Sequence, residues 1–207
     1  MKFHIITIFP DIFNSYFKES IIKRAREKDL IDIKIYNLRD FTEDKRRQVD
    51  DSPYGGGPGM VFKVEPIFNA VESIKKEISG KTRIILFSAR GKKLDQKKSQ
   101  KLAKYDNLVL ICGHYEGVDE RVAKKIADEE MSIGDFVLSG GELPAMILVD
   151  VVARFIPGVL GKKESLETIK GSYPVYTRPE NFHGWKTPKV LLSGNHQKIK
   201  EWRARFN

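Results

Sequence analysis

The chain has little cysteine and no long apolar run, and both absences restrict what it is. Cys112 is the single cysteine among 207 residues, so neither an internal disulfide nor a thiolate metal cluster is available. No apolar stretch approaches the roughly 20 residues that span a bilayer. The apolar part of Met1–Pro10 is too short for a signal peptide, and we predict a first β-strand there. These absences exclude a membrane protein and a disulfide scaffold, and we expect a cytoplasmic protein without a membrane partner.

Histidine is also scarce, and the usual nucleotide-binding fingerprints are missing. His4, His114, His183 and His196 show neither metal-ligand spacing nor the order of a Ser/His/Asp hydrolase. We therefore predict surface or capping roles for them and no metal site. No Gly-Lys-Ser/Thr follows a glycine loop, and no loop reads Gly-x-Gly-x-x-Gly. A Walker A site and a typical dinucleotide site are both excluded.

Positive charge, by contrast, is abundant and unevenly distributed. The formal net charge is +9, with 41% hydrophobic and 31% charged residues. Residues 162–207 contain ten Lys or Arg and four Glu, and so carry +6 of that charge. A basic segment of this kind indicates a polyanionic partner, above all a nucleic acid. Solvated lysine faces are the alternative that charge alone leaves open.

Short apolar runs alternate with helix-like stretches along the first three quarters of the chain. The predicted strands are Phe3–Phe9, Ile31–Tyr36, Arg83–Ser88, Leu108–Cys112 and Ile133–Leu138. The predicted helices are Asn14–Lys28, Pro66–Ile78, Leu94–Lys104, Glu120–Asp128 and Glu142–Phe155, with Asp95 as a helix cap and Pro66 in a first turn. This alternation predicts an α/β fold with a mostly parallel sheet flanked by helices.

The carboxyl-terminal part is organised differently. Pro157-Gly158 ends the last helix of the main domain, which we place at residues 1–160. Residues 161–174 are polar, basic and aperiodic, and we predict a linker. The short segment 175–207 ends in a helix, His196–Arg205, for which Asn195 is the expected cap. About 30 residues bury little by themselves, so this segment is expected to dock on the main domain or on a second subunit.

Two glycine loops follow neighbouring apolar runs. Gly113–Gly117 comes after Leu108–Cys112, and Ser139–Glu142 comes after Ile133–Leu138. In a parallel sheet both loops lie at the carboxyl ends of their strands, where open α/β folds bind ligands. A third loop, Ser88–Gly91, joins the same edge. Together they predict a backbone-lined pocket for a nucleoside-like ligand, with ordinary strand–helix turns as the alternative.

A further loop and one arginine are candidates for contacts with nucleic acid. Tyr54–Met60 is rich in glycine and proline and follows Lys45-Arg46-Arg47, a sequence that favours contact with a phosphate or a base. A long hairpin or crossover turn is the alternative. Arg154 lies between apolar residues and is suited to bind phosphate or polarise a base carbonyl, unless it snorkels from a helix end.

Five motifs in this order resemble bacterial tRNA (guanine-37-N1)-methyltransferases, a family of the SPOUT superfamily. They are Tyr54-Gly-Gly-Gly-Pro-Gly-Met60, Gly113-His-Tyr-Glu-Gly-Val-Asp-Glu-Arg121, Ser132-Ile-Gly-Asp-Phe-Val-Leu-Ser-Gly-Gly-Glu-Leu-Pro144, Tyr176-Thr-Arg-Pro179 and Leu192-Ser-Gly-Asn-His196. The resemblance covers nearly the whole chain. It implies a carboxyl-terminal trefoil knot in the main domain, bound S-adenosylmethionine, tRNA as substrate, and a homodimer whose active sites are shared between subunits. A magnesium ion is also associated with this family.

The resemblance also implies roles for individual residues. Arg154 matches the catalytic arginine. The cofactor contacts would be Phe87, Ser88, Gly113, Tyr115, Glu116, Gly117, Ile133, Gly134, Asp135, Phe136, Val137, Leu138, Gly140 and Gly141. The contacts with substrate RNA would be Tyr54, Gly55, Gly56, Gly57, Gly59, Met60, Ser193 and Asn195.

The sequence departs from the family pattern in two places. The family has an aspartate as its proposed base in the interdomain linker, whereas here the linker is shorter and no aspartate follows Asp150. Glu167 is the nearest acidic candidate for this role, with Glu164 behind it. The family also usually continues beyond the position of Asn207, which bears on tRNA binding. Two alternatives therefore stay open: a related SPOUT RNA methyltransferase with another target, and an RNA- or cofactor-binding homologue with impaired catalysis.

Overall fold

The computed structural model describes residues 1–161 and 173–206. The first of its two compact units, Met1–Leu160, is built on a five-stranded sheet in the order β2-β1-β6-β5-β7, in which all pairs are parallel. These strands are β1 Lys2–Thr7, β2 Asp32–Asn37, β5 Thr82–Lys93, β6 Asn107–Ile111 and β7 Glu129–Ser132. A small antiparallel pair, β3 Asp50–Asp51 and β4 Val61–Phe62, brackets the Tyr54–Met60 loop.

Helices cover both faces of this sheet, as the alternation of elements predicts. They are α1 Ser20–Glu27, α2 Val64–Glu77, α3 Gln96–Leu102, α4 Glu120–Lys125 and α5 Glu142–Ala153, with 3₁₀ turns at Pro10–Phe13, Tyr16–Lys18 and Leu38–Phe41. The Asp95 side chain accepts a hydrogen bond from the Lys98 amide at 2.6 Å, which confirms the expected cap of α3. The mixed α/β fold with a parallel central sheet is thus confirmed.

Strand β6 explains why the core has two sides. All five of its residues are buried, and alternate side chains enter opposite clusters. Leu108 and Leu110 pack in the cluster that contains residues of α1 and α5, whereas Val109 and Ile111 pack in the cluster that contains residues of α2. A near-continuous apolar run is therefore the signature of a strand covered on both faces.

Three predicted elements are wrong. The predicted loop Ser88–Gly91 lies within β5, which continues to Lys93 because its pairing with β7 resumes at Lys92 after an irregularity that begins at Phe87. The apolar run Ile133–Leu138 is a loop, and the fifth strand of the sheet is the more polar Glu129–Ser132. The predicted helix Asn14–Lys28 is broken, because Glu19 is extended and Ser20 has a φ of 51°. Two 3₁₀ turns precede α1 there, and only the second half of the stretch is α-helical.

The second unit comprises the described residues after Leu160. It contains a short hairpin, β8 Asn181–Phe182 and β9 Trp185–Lys186, followed by the helices α6 Lys189–Leu192 and α7 His196–Ala204. None of these four elements contains a buried residue. The Asn195 side chain accepts a hydrogen bond from the Lys198 amide at 3.1 Å and so caps α7 as expected. Across residues 1–161 and 173–206, no helix has the length and apolar character of a membrane span.

Candidate ligand-binding site

A pocket of about 390 Å³ lies between the second half of β5 and the loops that follow β6 and β7. Its volume falls within the usual range of roughly 300–1,000 Å³ for small-molecule sites. Most of the predicted cofactor contacts line it. These are Phe87, Ser88, Gly113, Tyr115, Glu116, Gly117, Ile133, Phe136, Val137, Leu138, Gly140 and Gly141.

Two of the predicted contacts lie outside this lining. The Gly134 backbone is engaged by the Ser132 side chain, whose hydroxyl donates to the Gly134 carbonyl at 2.8 Å and accepts from its amide at 3.2 Å. The Asp135 side chain is exposed and forms an ion pair with Lys93. Gly134 is therefore bonded to Ser132 and Asp135 to Lys93, and neither residue lines the pocket.

The two glycine loops are joined directly to each other. The Gly141 amide donates a hydrogen bond to the Gly113 carbonyl at 2.8 Å, and His114 forms an antiparallel bridge with Gly140. A Cβ atom on Gly141 would lie 2.6 Å from the Cα of Cys112, so only glycine permits this approach. The side-by-side arrangement of the loops thus depends on backbone contact.

Apolar side chains in the loop after β7 form one wall of the pocket. Phe136 is 56% exposed and Val137 is 84% exposed, although both are large hydrophobic residues. Exposed apolar side chains beside backbone N–H and C=O groups suit a flat ring with polar edges. The run 133–138 is therefore apolar because it faces the pocket, which also explains why it imitates a buried strand.

Several lining residues were missed by the sequence prediction. They include Glu120, Glu130, Ser132 and Pro144. Ala89, Arg90 and His114 also line the pocket; they belong to the predicted pocket segments Ser88–Gly91 and Gly113–Gly117, although not to the individual contacts. Arg90 is at the rim, where its guanidinium bonds Glu120 and also Glu130, the latter at 3.0 Å. The bond from Arg90 holds the pKa of Glu120 below its usual value. The signal for Arg90 was its place just after the apolar part of β5, and the signal for His114 was its place in the glycine loop Gly113–Gly117.

The loop Tyr54–Met60 lies beside the pocket loops. The Glu116 amide donates to the Met60 carbonyl at 3.1 Å, and the Phe62 amide donates to the Gly117 carbonyl at 3.0 Å. Tyr54 at its tip is fully exposed, and Gly55, Gly56, Gly57 and Gly59 all have positive φ. The predicted RNA-contacting loop is therefore anchored at its base to the predicted cofactor loop.

The remaining predicted site residues lie elsewhere or outside the description. Arg154 follows the last residue of α5 and is half-buried. Its amide donates to the Asp150 carbonyl at 3.3 Å, whereas its guanidinium makes no hydrogen bond or ion pair with any residue in 1–161 or 173–206. Ser193 and Asn195 belong to the second unit, where the Ser193 hydroxyl donates to the Val190 carbonyl at 2.7 Å. Glu164 and Glu167 lie outside the described residues.

The surroundings of Cys112 and Asp119 shift the pKa of each group. Burial raises the pKa of the Cys112 thiol well above its usual value, with a further contribution from Glu142, so this thiol is not a nucleophile. Bonds from the Arg121 guanidinium, at 2.7 and 2.9 Å, hold the pKa of Asp119 below its usual value. Arg121 and Asp119 are therefore paired with each other, and Asp119 also caps α4.

A parallel α/β protein with a backbone-lined pocket at the strand ends is, as a class, suited to bind a nucleoside-containing ligand. The family model described as tRNA (Guanine-1)-methyltransferase TrmD matches residues 1–207, and the chain belongs to this family. The resemblance found in the motifs is thus confirmed. Membership in a methyltransferase family implies the use of S-adenosylmethionine.

Individual relatives agree with this assignment. The chain is 55% identical to a tRNA (guanine-N(1)-)-methyltransferase of Dictyoglomus turgidum, over 99% of this chain and 84% of the relative. The Clostridioides difficile protein of the same name is 49% identical, with 98% and 90% covered. The crystal structure of a tRNA (m1G37) methyltransferase from Aquifex aeolicus is similar with a TM-score of 0.86 and 43% identity, covering 100% of this chain and 89% of that one.

Proposed function

We propose that the protein transfers a methyl group from S-adenosylmethionine to N1 of guanosine 37 in tRNA. The observation that carries this proposal is the pocket formed by the second half of β5 and the loops after β6 and β7, next to the glycine-rich loop Tyr54–Met60. Family membership supports the reaction class, and the net charge of +9 supports a polyanionic substrate.

The residues of the pocket fit the proposed cofactor. Backbone groups of Gly113–Gly117 and Gly140–Gly141 are available for the polar edges of an adenosine, and Phe87, Ile133 and Leu138 are available for its ring faces. Close packing at Gly141 leaves no room for a side chain between the two loops. When bound, S-adenosylmethionine supplies a methyl group carried on a positively charged sulfur.

The proposed roles of the catalytic residues follow from the chemistry of guanine. The N1–H must lose its proton, and negative charge then develops on O6. Arg154, whose guanidinium has no partner among the described residues, is suited to stabilise that charge. We assign the proton to the Glu167 carboxylate, which takes the place of the family's aspartate in the linker. Tyr54, Gly55, Gly56, Gly57, Gly59, Met60, Ser193 and Asn195 are the proposed contacts with RNA.

The proposed assembly is a homodimer in which each active site takes residues from both subunits. Leu143 and Ile147 lie one turn apart on α5 and are 52% and 42% exposed, and nearby Ile12 is 44% exposed. An exposed apolar stripe of this kind supports a protein–protein contact. A polar substitution in the stripe, Ile147→Asp, should convert the dimer to monomers in sedimentation velocity and abolish activity.

The finer points of the fold and domains stay proposals. We infer a trefoil knot from the family resemblance; the close approach of the Gly141 and Cys112 backbones is compatible with it. We assign cofactor binding to residues 1–160, a linker to 161–174 and tRNA contacts to 175–207. Within residues 1–161 and 173–206, no three His, Cys, Asp or Glu side chains form a group able to hold a metal, and the magnesium ion stays a prediction.

A methylation assay with two transcripts tests the proposed function. The purified chain should methylate a tRNA transcript with guanosine at position 37 and not the same transcript with adenosine there. Binding of S-adenosylmethionine without transfer to either transcript would instead support the impaired homologue, and transfer to another position would support a different target.

Arg154→Ala tests the assignment of charge stabilisation. We expect kcat to fall by roughly 100-fold, because a transition-state contact is lost, while the Kd for S-adenosylmethionine changes less than about twofold. Lys75→Ala, which removes an exposed positive charge on α2, is the control. Equal losses of affinity and turnover would contradict the role. Glu167→Gln should likewise abolish most turnover, and near-normal rates would remove Glu167 as the base.

A further inference from the structure

A carboxylate with no assigned role is buried beside the pocket. Glu142 is 4% exposed and lies in the first turn of α5. Its Oε1 accepts a hydrogen bond from the Thr7 hydroxyl at 2.8 Å, and the same hydroxyl accepts one from the Phe9 amide at 2.9 Å. Thr7 itself is fully buried at the end of β1. One oxygen of the carboxylate is thus tied to the end of strand β1.

The other oxygen of Glu142 faces a histidine that lines the pocket. Oε2 lies 4.0 Å from Nδ1 of His114, and this nitrogen is buried without a hydrogen-bond partner. The opposite ring nitrogen, Nε2, is not among the buried unpaired atoms, and His114 is part of the pocket lining. The ring therefore has one edge toward the carboxylate and the other accessible to a ligand.

The surroundings hold the imidazole ring in place. The rings of Phe9 and Tyr115 lie edge-on to it, with centroids 5.1 and 5.0 Å away. Gly140 lies alongside, and a Cβ there would overlap both Glu142 Oε2 and His114 Nδ1. The absence of a side chain at Gly140 is what leaves the carboxylate and the ring facing each other.

This arrangement has a consequence for the tautomer of His114. At 4.0 Å the carboxylate is too distant for a hydrogen bond, but its negative charge favours a proton on the nitrogen that faces it. Nδ1 then carries the proton and Nε2 keeps its lone pair. A neutral ring in that tautomer presents an acceptor to the pocket. Buried polar atoms normally have a hydrogen-bond partner. The unpaired Nδ1 beside Glu142 Oε2 therefore needs an explanation that the bond between Glu142 and Thr7 does not give.

We propose that Thr7, Glu142 and His114 form a relay in which His114 Nε2 accepts a hydrogen bond from a donor on bound S-adenosylmethionine. Glu142 and Thr7 are positioning residues in this relay, and His114 is a ligand contact. The donor is a ribose hydroxyl or the ammonium of the methionine part, which are the aliphatic donors of that ligand. The inference rests on the proposed function and adds a specific polar contact to it.

Two substitutions at position 114 separate the nitrogens of the ring. Glutamine places an amide near the position of Nε2, whereas asparagine reaches only the position of Nδ1. By calorimetry with S-adenosylmethionine, His114→Asn should weaken binding about tenfold and His114→Gln less than about threefold. Lys75→Ala is the unaffected control. Equal losses in the two variants would overturn the contact.

The choice of ligand then identifies the donor. 5′-Methylthioadenosine carries the ribose without the amino-acid part. If the penalty of His114→Asn persists with this ligand, the donor is a ribose hydroxyl; if it disappears, the donor is the ammonium. Failure of the wild-type chain to bind S-adenosylmethionine would remove the proposed function together with this inference, whereas wild-type binding with unaffected His114 variants removes the inference alone.

The positioning residues have a spectroscopic test. In ¹⁵N spectra of histidine-labelled protein, the His114 signals, assigned by their loss in His114→Asn, should show a protonated Nδ1 and an unprotonated Nε2. Glu142→Gln should mix the tautomers, and Thr7→Val should do so more strongly than Thr7→Ser, which keeps the hydroxyl. A protonated Nε2 in the wild-type protein would overturn the relay, even if one of the variants fails to fold.

Discussion

The chain uses glycine for opposite reasons in two of its loops. In Tyr54–Met60, Gly55 and Gly56 have φ values of 87° and 78°, and a Cβ on either would meet no atom within 4 Å. In the loop before α5, Gly141 has a φ of −81°, which any residue adopts, yet its Cβ would meet the Cys112 backbone at 2.6 Å. The first loop needs conformational freedom and the second needs space.

This difference separates two kinds of site within one protein. The loop before α5 belongs to the packed structure, because the Gly141 amide donates a hydrogen bond to the neighbouring loop and Gly141 lies against the main chain of Cys112. The loop Tyr54–Met60 extends from its anchors at Met60 and Phe62, with Tyr54 fully exposed at the tip. A pocket for a small ligand is expected to be preformed, whereas a loop for a large and irregular partner such as RNA gains from adaptability.

Gly141→Ala is expected to have the largest effect. The added Cβ meets backbone atoms of Cys112, which cannot rotate away, so the free energy of unfolding should fall by about 3 kcal/mol. Binding of S-adenosylmethionine should be lost as well, because the two pocket loops must separate. Urea unfolding and calorimetry measure the two effects.

The matched control for this substitution is Gly161→Ala. A Cβ on Gly161 would meet no atom of residues 1–161 or 173–206 within 4 Å, and the residue has no positive φ, so its variant should stay within about 0.5 kcal/mol of wild type. A Gly141→Ala protein of unchanged stability and affinity would show that the close approach to Cys112 is not required.

Gly140→Ala should lower the free energy of unfolding less than Gly141→Ala does, and it should weaken the binding of S-adenosylmethionine. Its Cβ overlaps the ends of two side chains, Glu142 and His114, which can shift where backbone cannot. We expect a loss of about 2 kcal/mol in the free energy of unfolding and a roughly tenfold rise in Kd for S-adenosylmethionine. A rise in Kd no larger than that of the Gly161→Ala control would separate His114 from ligand binding.

The sequence predicts those features of the two loops that depend on the local pattern of apolar and turn residues. The strand Leu108–Cys112, its glycine loop and the fold class follow from a buried apolar run and its turn residues. The anchoring of Tyr54–Met60 to Glu116 and Gly117 cannot be predicted from local pattern, because those hydrogen bonds join residues far apart in the chain. The pairing of Glu142 with Thr7 is hidden for the same reason.

Strand β7 shows why pattern also fails. Its polar Glu129 and Glu130 fall outside every predicted element, but Glu129 pairs with Arg83 at 3.2 Å and with Lys98, and Glu130 pairs with Arg90. Charges that are neutralised by neighbouring elements can occupy a strand of the sheet. The following apolar run is a loop because its side chains face a pocket, and a ligand surface has the same composition as a core.

Gly59→Ala tests the place where the two kinds of loop meet. Gly59 combines a φ of 75° with a Cβ position 2.5 Å from the Glu116 side chain. Strain and a movable neighbour together should lower the free energy of unfolding by about 1.5 kcal/mol, and displacement of Glu116 should weaken cofactor binding a few-fold. Loss of tRNA binding with unchanged cofactor affinity would show that the loops act independently at this junction.

Gly56→Ala should have the smallest effect on stability and isolates the role of loop freedom. With open space around the Cβ, only the left-handed conformation opposes alanine, at a cost of about 1 kcal/mol that an exposed loop relieves in part by changing shape. The Kd for S-adenosylmethionine should match wild type, whereas the KM for tRNA should rise several-fold, because the altered loop no longer fits the RNA. Steady-state methylation at varied tRNA, with calorimetry of the cofactor, separates the two constants. If KM for tRNA is unchanged, the positive φ of Gly56 matters only for local folding, and the loop Tyr54–Met60 must bind RNA through its other residues.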